Sequence, residues 1–76
     1  MNAIQLFEFA LRNAIRASIE NYPNEKVYVL FDGEEEYTTC PEKNLGMVYK
    51  AEPNLKHICT VLNGERAEGS EWPPKA

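Results

Sequence analysis

"KVYVLFDGEEEYTT", Lys26 to Thr39, sets a β-rich apolar run against an acidic knot, and the fold is read outward from it. Val27-Tyr28-Val29-Leu30-Phe31 is too short for a typical helix and is rich in β-branched and aromatic residues, so it reads as a strand. Five consecutive apolar residues suit a central strand covered on both faces. Asp32-Gly33 is a strong hairpin signal, which returns the chain through Glu35 to Thr39. Two registers are open. A two-residue loop would set Phe31 opposite Glu34 and Val29 opposite Glu36. A four-residue loop would set Val29 opposite Thr38 and Leu30 opposite Tyr37. The second is chemically better, because it spares apolar partners a buried carboxylate.

Upstream lies an amphipathic helix. Asn2 is a favourable N-cap, and Gln5 three positions on completes a capping-box pattern. Ile4, Phe7, Leu11, Ile15, Ser18, Ile19 and Tyr22 recur at three- and four-residue steps and form one apolar stripe. Glu8–Arg12 and Arg16–Glu20 are pairs of opposite charge on the outer face. Pro23 ends the helix near Asn21. Leu6 and Phe9 fall outside the stripe, Leu6 beside the small residues Ala3, Ala10, Ala14 and Ala17. They are candidates for a second contact face, to which another helix, from a second copy or a different protein, could approach closely.

Downstream, Pro41 ends the returning strand and Glu42–Asn44 reads as a turn. Met47, Val48 and Tyr49 suggest a third strand over Gly46–Ala51, and Leu55–Leu62 a fourth. Asn63-Gly64 is a type I′ turn signal that pairs Leu62 with Glu65, Lys56 with Glu71 and Leu55 with Trp72. A fifth strand over 65–72 is weakly supported by its residues. The expectation is α+β: one N-terminal helix on an antiparallel sheet of four to five strands in sequential order, with hairpins at Asp32-Gly33 and Asn63-Gly64. Residues 1–72 form a single domain and 73–76 an extended tail. One helix covers one face of such a sheet, so some apolar groups of Val27–Phe31 are expected to lie open to a partner.

Charge narrows the function. The net charge of −4 argues against direct binding to nucleic acid, which needs a basic stripe. Residues 1–22 and 41–76 each sum to zero; the surplus lies in 23–40, where Glu25, Asp32, Glu34, Glu35 and Glu36 oppose only Lys26. No apolar run approaches the ~18 residues of a membrane span, and no basic segment followed by an apolar stretch marks a secretory signal. Two cysteines are too few for a disulfide scaffold, so reduced thiols and a cytoplasmic location are expected.

Catalysis has little material. The acidic cluster sits on a turn tip where water keeps it ionised, its spacing misses the calcium-loop pattern, and no phosphate-binding glycine loop exists. The expectation is therefore a non-enzymatic protein without a cofactor. It would bind a basic surface on a partner protein through Asp32, Glu34, Glu35 and Glu36, with Leu6 and Phe9 supporting a homodimer or a second contact. Compact acidic domains of this kind occur among phage and mobile-element inhibitors of host nucleic-acid-binding complexes, of the anti-CRISPR or anti-restriction type. The competing reading is a zinc- or thiol-dependent protein. On a regular strand His57 and Cys59 share a face, and Cys40 would join them, with Glu68 opposite Cys59 as a fourth ligand.

Overall fold

The computed structural model describes residues 2–69, and the expected pairings of Glu71 and Trp72 and the tail 73–76 lie outside them. The chain runs α1 (Ala3–Glu20), β1 (Val27–Phe31), β2 (Tyr37–Pro41), a 3-10 turn (Glu42–Asn44), α2 (Leu45–Ala51), β3 (Lys56–Leu62) and β4 (Glu65–Gly69). The architecture is α+β, a helix packed on a four-stranded antiparallel sheet, with a second short helix.

Helix α1 begins as the capping box requires: Gln5 N donates to Asn2 Oδ1 (2.9 Å) and Asn2 N donates to Gln5 Oε1 (3.1 Å). The face turned to the sheet overlaps the expected stripe, keeping Phe7, Leu11, Ile15, Ser18 and Tyr22, but is rotated toward Ala10 and Ala14. Phe7, Ala10, Ala14 and Ser18 are buried, with Leu11 and Ile15 packed alongside, whereas Ile4 and Ile19 are 53% and 58% exposed. Small residues allow the helix axis to come close to the pleated surface, so Ala10 and Ala14 receive the sheet rather than a partner helix.

The strand order is β2-β1-β3-β4, not sequential. The reason is that Gly46–Ala51, expected as a strand, is helical. Leu45, Val48 and Tyr49 stand at i, i+3 and i+4, a helical apolar stripe. Because β1 is antiparallel to both β2 and β3, those two run parallel with β1 between them. Parallel strands need a crossover, and α2 supplies it.

The crossover also closes the second face of the sheet. Val27, Val29 and Phe31 point to α1, while Leu30 packs with Cys40, Leu55 and, from α2, Leu45, Val48 and Tyr49. The expectation that apolar groups of Val27–Phe31 lie open is thus corrected: Val27, Val29, Leu30 and Phe31 are buried and Tyr28 is half-buried. Residues 27–31 are apolar throughout because both faces of β1 are covered.

Two irregularities shift side chains. In the β1–β3 ladder Val29 pairs with Cys59 but Leu30 with His57, leaving Ile58 as a bulge. In the β3–β4 ladder Val61 pairs with Arg66 but Thr60 with Glu68, leaving Ala67 as the extra residue.

The Asn63-Gly64 turn forms as expected, with Leu62 opposite Glu65 and both central residues at positive φ, 49° and 85°. It is tied to the helix: Gly64 N donates to Ser18 Oγ (2.8 Å), and Ser18 Oγ donates to Ile15 O (2.7 Å). Asn24 N also donates to Asn63 Oδ1 (2.8 Å), and Asn63 Nδ2 donates back to Asn24 Oδ1 (3.2 Å). Ser18→Ala removes the acceptor from a half-buried amide, so urea unfolding should show a loss of about 1–2 kcal/mol. A change within experimental error would mean that water replaces the hydroxyl at no cost.

Candidate functional site

The β1–β2 loop follows neither expected register. Phe31 pairs with Tyr37, Leu30 with Thr38 and Val29 with Thr39, so the loop takes in Asp32 to Glu36. Asp32 explains the length. Its Oδ1 accepts hydrogen bonds from the amides of Glu34 (2.7 Å), Glu35 (3.1 Å) and Glu36 (3.2 Å), and Asp32 N donates to Glu36 O (3.1 Å). Of the four acids proposed as a docking patch, Asp32 is therefore turned to its own backbone and shapes the loop. Glu34, Glu35 and Glu36 are exposed, and no ion pair among the described residues reaches them.

These hydrogen bonds, foremost that from Glu34, hold the Asp32 carboxyl below its ordinary value of 3.8. A depressed folded-state pKa stabilises the fold above the unfolded value, and that contribution is lost as pH falls through the folded one. Thermal stability should thus drop more steeply below pH 3.8 in the native protein than in Asp32→Asn. Parallel acid profiles would show that the anionic form of Asp32 gives the loop no advantage.

The fifth acid of the region is neutralised. Glu25 lies 3.9 Å from Lys43 Nζ and accepts from Lys43 N (3.1 Å). What remains as charge without an ion pair among the described residues is Asp32, held against its own backbone, and the outward run Glu34-Glu35-Glu36.

Above this loop passes the N-terminal half of α1, and between them lies a groove of about 300 Å³. Its helix wall is Leu6, Phe9, Ala10 and Asn13, and its opposite wall is Glu35, Glu36, Tyr37 and Thr39. Phe9 is 57% exposed and Leu6 half-buried. The Tyr37 ring joins groove to core, with its centroid 4.6 Å from Phe31 and 6.0 Å from Phe7. The structure thus brings Leu6 and Phe9, picked out as misfits of the helical stripe, beside Glu35 and Glu36. Sequence reading missed Asn13, Tyr37 and Thr39. Asn13 had a signal, since Leu6, Phe9, Ala10 and Asn13 are spaced i, i+3, i+4 and i+7.

The competing zinc residues do not converge. The bulge at Ile58 restarts the alternation of β3, so Cys59 faces α1 with Val29 while His57 lies opposite Leu30 on the α2 side. Cys40 sits in the α2-side cluster, across the sheet from Cys59. Glu68 stands opposite Thr60, and it is Gly69 that faces Cys59. Both thiols are free and buried, and burial raises the pKa of each, for Cys59 partly offset by Arg66. That is the opposite of what a nucleophilic or metal-ligating thiolate needs. His57 Nε2 lies 2.7 Å from Thr60 Oγ1, and its ring is 5.2 Å from that of Tyr28. Among the described residues no group of three or more His, Cys, Asp or Glu is placed to hold a metal ion.

Nor is any helix among the described residues long and apolar enough to cross a membrane. No family model, curated protein or solved structure matches the chain, so function has to be read from the groove and its acidic wall.

Proposed function

We propose that the protein acts without catalysis, by stoichiometric binding of a partner protein that presents a basic surface. The observation that carries this reading is the groove itself. Two apolar side chains of α1, Leu6 and Phe9, and two uncompensated carboxylates, Glu35 and Glu36, line one concavity. An apolar centre with a charged rim is the usual anatomy of a protein interface. The carboxylates would speed encounter with a cationic partner and disfavour acidic competitors, while Leu6 and Phe9 would supply contact area that excludes water. A basic surface of that kind is what a nucleic-acid-binding complex exposes, which is why inhibition of such a complex, of the anti-CRISPR or anti-restriction type, is the role we favour.

Replacing Glu34, Glu35 and Glu36 together by Gln tests the charge half of the reading. The fold should be unchanged, since these side chains carry no ion pair among the described residues. The partner retained by the native protein at low salt should be lost by the variant, as it should be by the native protein at high salt. Equal retention of the same partner by both would remove the acidic wall from the interface.

A further inference from the structure

The groove has a second property, which concerns backbone rather than side chains. Strand β2 is an edge strand, paired with β1 on one side only. Hydrogen bonds from Glu42 N to Lys26 O (2.8 Å) and from Asp32 N to Glu36 O (3.1 Å) bracket the β1–β2 ladder. In an antiparallel pair, bonded and non-bonded positions alternate. With the observed register, Tyr28–Cys40 and Leu30–Thr38 are therefore bonded pairs, and Thr39 opposite Val29 is not. The N–H and C=O of Thr39 consequently point away from β1, out of the sheet edge, at the place where its side chain lines the groove. Pro41, two residues on, occupies the same parity, where its missing N–H costs the ladder nothing.

Building on the reading above, we propose that the partner contributes an extended segment that adds to the outer edge of β2. It pairs with the backbone of Thr39, seats one apolar side chain between Leu6 and Phe9, and carries Lys or Arg toward Glu35 and Glu36. Strand addition supplies affinity through main-chain hydrogen bonds, and alternate side chains supply specificity. The short span between the acidic loop and Pro41 limits pairing to a brief segment, and the charge on the loop repels an acidic one. The occupant is therefore a basic strand with an apolar anchor.

The probe is an end-capped, fluorescently labelled peptide alternating lysine with leucine, titrated at low ionic strength and read by anisotropy. It should bind the native protein, and methylating its backbone amides should weaken binding roughly tenfold or more, because the charges stay but the main-chain donors go. Thr39→Pro, which removes one outward donor from β2 without touching the β1 ladder, should weaken the unmethylated peptide to a similar degree. Equal binding of the methylated and unmethylated peptides would overturn strand addition and leave charge-driven docking standing. Failure of both to bind would overturn the two together. A native dimer in sedimentation that Phe9→Asp converts to monomer would give the groove to a second copy and also overturn the proposal.

Discussion

Leu30→Ala should remove a large part of the protein's stability, about 2–5 kcal/mol. Leu30 is fully buried at the centre of the sheet, on the face that α2 covers. Truncating such a leucine costs about 2–5 kcal/mol, in lost transfer energy and in the cavity left behind. A domain of this length has on the order of 5 kcal/mol to lose. Leu45, Val48 and Tyr49 come from one short helix and are only half-buried, so collapse onto the cavity is possible only if α2 moves. Far-UV circular dichroism in a urea titration reads the outcome. A loss below about 1 kcal/mol would place Leu30 on an open face, as for an exposed position, and contradict the covering role of α2.

Phe9→Asp should do the reverse, sparing the fold and weakening binding roughly 30-fold or more. The ring is 57% exposed and belongs to neither buried cluster, so unfolding should shift by less than about 0.5 kcal/mol. At the mouth of the groove the same ring is the largest apolar group available to a partner. Aromatic anchors of this kind cost about 2 kcal/mol or more when removed, roughly 30-fold in Kd. The introduced carboxylate adds to an already acidic wall, so salt should not restore affinity. Calorimetry on the purified complex, beside a melt of each protein alone, separates the two effects. Unimpaired affinity would take the helix wall out of the interface.

The local elements of this fold could be read from local signals. Asn2 and Gln5 announce the start of α1, Pro23 its end, and Asn63-Gly64 the second hairpin, because each acts through bonds to residues a few positions away. What was misread depends on distant parts of the chain. Met47-Val48-Tyr49 has strand-like composition, while Leu45, Val48 and Tyr49 also fit a helical stripe, and the need to carry β2 past β1 decides for the helix. The bulge at Ile58, which parts His57 from Cys59, follows from how β3 must meet β1. The loop register turned on a single side chain, since an Asp32 that captures three amides holds a longer loop than the Asp-Gly pair suggests. The apolar stripe of α1 was read a little off its true face, because residue size was not weighed: beside the expected Phe7 and Ser18 the sheet selects Ala10 and Ala14 over Ile4 and Ile19.

The candidate site was legible in fragments. Phe9 and Leu6 stood out as apolar residues outside the stripe, and Glu34 to Glu36 as unmatched charge. Nothing in their spacing joins them, since more than twenty residues intervene, as the numbering itself shows. They meet because the β1–β2 hairpin lies under the first turns of α1.

A photo-crosslinking side chain at Phe9 tests the placement of the interface most directly, with one at Met47, 68% exposed on α2 across the sheet, as its counterpart. On irradiation of the complex, the partner should become attached through position 9 and not through position 47. Attachment through position 47 alone, or equally through both, would contradict a binding surface built on the groove between α1 and β2.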